Sequence, residues 1–355
     1  MRDQPGPVQR VLQAMLSTFA HPIQRRFDFA RRTSAAPAAA PGWVLREEVV
    51  MGTAIRVELW ADDRRAGEGA AAAVMDEMHR IDRLYSPWKP ASELSRINRE
   101  AARRAVPLSD ETFRLLQRAL QFSQLTGGAF DITTAAVGNL HDYRQGLCPT
   151  PEALAAAQAC VGWRGLELDS SARMLRFARP GMAIDLGGFA KGYAVDNAAA
   201  LLRRRGVRHA WVSAGGDSRV IGDRFDGRTH RPWSVAVRDP RRAGEAVAVL
   251  PLVDTSVSTS GDYERGFDTP EGRVHHLIDP ATGHSPRAVR AVTVLADASE
   301  DSGLVCEALG KALFVLGAAR GLALIEGMAG VDALVVDAEG QLHTSTGLAQ
   351  PPRAA

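Results

Sequence analysis

Few stretches restrict this chain's folding options as much as residues 185–196, DLGGFAKGYAVD. The apolar run just before it, 182–186 (MAIDL), predicts a short buried strand ending at Asp185. Gly187 and Gly188 then allow a tight backbone turn, and Lys191 follows. A helix is expected over 193–204, with Ala194, Val195, Ala198, Leu201 and Leu202 on one face and Gly206 just past its end. Free N–H groups at a helix N-terminus, beside glycines and a lysine, suit an anionic phosphate group. Asp185, in the same turn, is placed to accept hydrogen bonds from a bound molecule. The plainer reading is a strand–helix corner with glycine for geometry and lysine for solubility. On pattern alone the two readings are equal.

The rest of the chain sets the frame. Its 355 residues, 45% hydrophobic and 24% charged, are enough for one large or two modest cores. A net charge of +2 gives no argument for nucleic acid or an anionic membrane as partner. Cys148, Cys160 and Cys306 form no Cys-x-x-Cys pair, so a disulfide framework and a thiolate zinc site are not expected. No stretch approaches the ~20 apolar residues of a bilayer span, so stable membrane insertion is not expected. Neither a signal peptide nor a lipobox is read at the N-terminus, and the expected location is therefore the cytoplasm.

Residues 1–42 read as a tail ending in the low-complexity linker TSAAPAAAPG, with the folded domain over 43–346 and a second tail over 347–355. Residues 46–60 alternate like a strand, and 66–84 space Ala71, Val74, Met75, Met78 and Ile81 as a helix does. Ser109 is a plausible N-cap for a helix that stops at Gly127-Gly128, and Thr150-Pro151 opens a short one. Strand-like runs at 208–213, 232–238, 246–253, 274–278 and 290–296 precede helices at 301–317 and 318–328 and a strand at 332–337. Such irregular alternation with hairpin-like pairs favours α+β over a doubly wound parallel sheet.

DLGGFAKGYAVD has company in order along the chain: Met51-Gly52-Thr53, SPWKPASELSRIN (86–98), GAFDIT (128–133), TSGDYER (259–265) and HHLIDPATG (275–283). Together these six blocks resemble the ApbE family of FAD:protein FMN transferases over about residues 47–345. The resemblance implies an α+β fold with FAD in a cleft between its two halves. It implies flavin contacts from Met51, Trp88, Ala129, Phe130, Asp131, Asp185 and Lys191. Trp88 suits stacking on a planar ring, Phe130 an apolar wall, and Lys191 a charge for the pyrophosphate. Core packing is the competing reading for Trp88 and for Phe130. His276 matches the family's histidine and is the expected acid/base, since imidazole titrates near neutral pH. His275 should face the other way by strand alternation. Asp279-Pro280 and Thr282-Gly283 are turn chemistry in their own right.

The implied reaction moves FMN from FAD to a Ser or Thr hydroxyl of an acceptor protein, with release of AMP. FAD hydrolysis and a non-catalytic flavin carrier are the alternatives, and for location the resemblance leaves the periplasmic face open beside the cytoplasm. The resemblance also implies magnesium, held by the Gly188 carbonyl and by two side chains four residues apart on a later helix. Aligned on residues 313–317, those positions hold Glu307 and Lys311 instead of the family's Asp and Thr. Glutamate remains a hard oxygen ligand, but a protonated lysine is none. Glu307 and Lys311 read either as an exposed i, i+4 pair or as an ammonium standing in for the ion.

Overall fold

A computed structural model describes residues 40–349 apart from 144, 243 and 271. The expectations for a tail over 1–42 and for signal sequences fall almost wholly outside these residues, as does most of 347–355.

The alternating run near the start is a hairpin rather than one strand: β1 (Gly42–Val50) and β2 (Thr53–Ala61) pair antiparallel. Met51 and Gly52 turn the chain, both at positive φ (53° and 72°), as a two-residue hairpin turn matched to strand twist requires. Glycine takes that conformation freely, whereas Met51 is strained there by about 1–2 kcal/mol.

Six more strands extend the sheet: β3 (Ala210–Ala214), β4 (Asp217–Ile221), β5 (Thr255–Gly261), β6 (Val289–Asp297), β7 (Val331–Asp337) and β8 (Leu342–Thr344). They lie side by side in chain order, every neighbour antiparallel. The structure is therefore α+β, as the sequence predicts. β4, β5 and β8 escape a reading based on apolar alternation, because β5 is TSVSTSG and β8 has three residues.

Three long helices cover one face. α1 (Arg64–Tyr85) and α4 (Ala190–Arg204) flank each other, and α5 (Ser302–Glu326) packs on α4 and on β5, β6 and β7. Met75, Met78 and Ile81 of α1 are fully buried, as their spacing foretells, each stabilising by about 1.5–3 kcal/mol. Gly317, at φ 78° and ψ 172°, kinks α5 where the sequence suggests two helices meeting. α5 also corrects the expectation about bilayer-length segments. An 18-residue stretch within its 25 residues has a mean hydropathy of 1.7, so the helix is long and apolar enough to cross a membrane by length and composition. In this fold Cys306, Leu309, Leu313 and Phe314 are buried against the sheet side of the core. On the opposite face a hairpin of residues 233–238 and 246–252 covers Val220, Val257, Leu295 and Leu334.

The long β2–β3 connection also carries shorter helices. α2 (Glu93–Glu100) is capped by Ser92, whose Oγ accepts from the Ser95 N–H at 3.0 Å. α3 (Asp110–Leu125) is capped by Ser109 in the same way, as expected. The helix at Pro151–Gln158 likewise opens on Thr150.

Candidate active site

Residues 182–186 belong to no strand or sheet, which corrects the predicted strand. Side chains and a loop replace the ladder. The Asn98 amide brackets Ile184, donating to its carbonyl and accepting from its N–H, both at 2.9 Å. Asp185 donates its N–H to the Ile132 carbonyl at 2.9 Å. Two blocks distant in sequence thus hold the DLGG segment in place.

The two glycines are there for space. Neither Gly187 nor Gly188 has positive φ. A Cβ on Gly187 would lie 3.3 Å from the Asp185 carboxylate, and one on Gly188 would lie 3.1 Å from Cε of Lys311. α4 begins at Ala190, earlier than expected, so Lys191 sits in its first turn. Gly192 allows α4 to cross α5 closely, since a Cβ there would meet the Gly303 carbonyl oxygen at 2.4 Å.

That crossing brings Lys191 to Glu307. Lys191 Nζ bonds Glu307 Oε1, lies 3.1 Å from Asp217 Oδ2, and donates to the Gly187 carbonyl at 3.0 Å. Glu307 is fully buried, and its second oxygen accepts the Gly192 N–H at 2.7 Å. Burial works against the Lys191 ammonium, but Asp217 and Glu307 outweigh it and hold its pKa above the ordinary lysine value. Lys191 is therefore already neutralised, and a free charge for a pyrophosphate has to come from elsewhere.

Lys311 is the other cation. It does not pair with Glu307, which overturns the exposed-pair reading. Its Nζ donates to Ser260 Oγ at 2.9 Å. Burial holds its pKa below the ordinary lysine value, with Glu307 opposing. Ser256, Ser258 and Ser260 share one face of β5 by strand alternation. They bond Ser302 at the start of α5, Asp217 (2.6 Å) and Lys311 respectively. This polar seam between sheet and helix is what sequence reasoning missed. Its only signals are Gly215-Gly216 before Asp217 and three serines at period two.

His276 is half-buried beside this group. Its Nδ1 lies 3.3 Å from the Arg265 carbonyl, and its own N–H bonds the same oxygen at 3.1 Å. Burial first, then the Lys311 charge, lowers its pKa to about 3. His275 faces away as expected: it is buried against Phe314, with Nε2 2.9 Å from the Pro286 carbonyl. Asp279 closes the turn after it, accepting from Ala281, Thr282 and Gly283.

The remaining expected contacts divide. Trp88 is 89% exposed, so its core reading fails and its ring is free to stack. Phe130 is the reverse: it packs on Phe122 and Phe189 in the core, which corrects its role as a ligand wall. Asp131 is buried, and its carboxylate is spent on Thr133 and on the Trp163 N–H at 2.8 Å, so it shapes the loop. Ala129 is half-buried, and Asp185 is exposed with Oδ1 accepting from Gly187. Met51 is half-buried at the hairpin tip, where Gly52 lies near the Arg265 guanidinium.

Residues 51–335 match the ApbE family. The chain belongs to the ApbE family. It is similar to the FAD:protein FMN transferase of Treponema pallidum, 33% identical over 319 residues covering 85% of this chain and 87% of that one. It is also similar to the FAD:protein FMN transferase of Haemophilus influenzae, 32% identical over 294 residues, 78% and 81% of the two chains. The crystal structure of an ApbE protein from Thermotoga maritima superposes with a TM-score of 0.77 at 29% identity, covering 87% of this chain and 98% of that one. The flavin transferase ApbE of Vibrio cholerae does so at 0.73 and 26%, covering 87% and 99%.

The magnesium that the family implies can be tested on this ApbE protein's own donor set. Both Glu307 oxygens are engaged by Lys191 and Gly192, and the neighbouring position holds an ammonium. These residues do not fit a divalent ion.

Trp88→Ala should weaken FAD binding by about 1–3 kcal/mol, the worth of one aromatic stack, and leave the unfolding midpoint unmoved. Flavin fluorescence titration and a thermal melt check both. A lowered midpoint with unchanged affinity would remove Trp88 from the site.

Proposed function

We propose that this protein transfers the FMN half of FAD to a Ser or Thr hydroxyl of an acceptor protein. Its relatives carry that activity in their names, and the observation that supports it here is the meeting of His276, Lys311, Ser260 and the Gly187-Gly188 turn. In the reaction the hydroxyl oxygen attacks the FMN-side phosphorus. The bond from that phosphorus to the bridging oxygen breaks, and AMP leaves with that oxygen. His276 takes the hydroxyl proton at Nε2, its Nδ1–H directed at the Arg265 carbonyl. Phosphoryl-type transfer asks mainly for positioning and charge neutralisation. The bound diphosphate helps in a second way: its negative charge offsets Lys311 and lifts the His276 pKa from its low value in the free protein.

Incubation of the protein with FAD and acceptor proteins, followed by mass spectrometry, tests this. The expected products are AMP and an acceptor heavier by one FMN on Ser or Thr. AMP with free FMN and an unmodified acceptor would make the protein a hydrolase. No AMP despite FAD binding would leave a carrier.

A further inference from the structure

The site contains one cation more than its carboxylates engage. Lys191 joins both Glu307 and Asp217, so its own charge is fully engaged. Lys311 has Ser260 Oγ as its partner, and among the described residues no carboxylate lies within 4.0 Å of its ammonium. An ammonium carries three donors, so two remain for a ligand. Its stem lies against Gly188, where a Cβ would come within 3.1 Å of Cε. A turn that would suit an anion therefore carries a fixed positive charge alongside.

Charge counting gives the consequence. Lys191, Glu307 and Asp217 sum to one negative charge, which attracts a cation when the residue at 311 is neutral. Lys311 brings the sum to zero and puts its charge where an incoming ion would be repelled. We propose that Lys311 itself neutralises the diphosphate of bound FAD, so that this protein binds its dinucleotide without a divalent metal ion. This rests on the FAD reading above and replaces the metal dependence that the family resemblance implies.

The test is affinity for FAD and for riboflavin, by fluorescence, in excess magnesium and in EDTA, for the parent, Lys311→Met and Lys311→Thr. Riboflavin carries no phosphate, so its binding reports the ring pocket alone. The parent should bind FAD equally with and without the metal. In EDTA, Lys311→Met should lose FAD affinity by ~10–100-fold, the worth of a charge-assisted hydrogen bond, with riboflavin affinity unchanged. Lys311→Thr should bind FAD weakly in EDTA and recover in magnesium. A parent that binds FAD only with magnesium overturns the proposal, with no variant needed. So does a Lys311→Met protein with unaltered preference for FAD over riboflavin. A parent that binds FAD under neither condition would instead sink the FAD reading, so the two failures are distinguishable.

Discussion

Replacing His276 with glutamine is expected to slow FMN transfer by about 10²–10⁴-fold, the usual worth of a positioned base, while FAD still binds. Glutamine keeps the size and a hydrogen bond to the Arg265 carbonyl but cannot accept the hydroxyl proton. The pH dependence adds a second readout. With its pKa lowered to about 3, the His276 imidazole of the free protein is neutral throughout the ordinary histidine range around 6.5. kcat/KM reports the free protein, so its profile should show no acid limb near 6.5. kcat reports the complex, where the diphosphate offsets Lys311, so its acid limb should lie at higher pH. AMP release measured across pH for parent and variant checks both. A His276→Gln protein at parental rate would remove this histidine from the proton transfer, whereas an acid limb in kcat/KM near 6.5 would show that burial and the Lys311 charge do not depress its pKa.

The largest effect on stability is expected at Asp196, the last residue of DLGGFAKGYAVD. It belongs to α4 but caps α5, accepting the Gly303 and Leu304 N–H groups at 2.9 Å each. It also accepts from Arg219 at 2.7 Å, and both side chains of that pair are almost fully buried. α5 has no cap of its own, because Asp301 makes no such bond. Asp196→Asn leaves the Arg219 charge buried without a counter-charge, so a loss of about 3–5 kcal/mol is expected. Urea unfolding measures it. As the reference, Glu68→Ala breaks an exposed pair with Arg64 and should cost at most about 0.5 kcal/mol. If the two variants lose the same amount, the buried pair carries no special weight. Because α5 also carries Glu307 and Lys311, FAD affinity should fall with Asp196→Asn as well.

Much was legible from residue order. Helix positions followed from apolar spacing in α1 and from the caps Ser109 and Thr150, because those signals act within one turn. The family followed from six short blocks, each readable in residue order alone. Strand alternation separated His276 from His275. What the sequence could not tell is which polar side chains find each other. DLGGFAKGYAVD showed a lysine at a helix start and suggested a phosphate contact. Only the α4–α5 crossing at Gly192 reveals that Lys191 is already taken by Glu307 and Asp217. Phe130 and Trp88 were equally ambiguous as aromatic residues, and burial alone sent one to the core and the other to the surface. Glu307 and Lys311, at i and i+4, looked like a surface pair until the fold buried the helix face that bears them. Spacing along the chain determines local conformation, whereas the partner of a charge depends on which elements pack together, and that is a property of the tertiary structure.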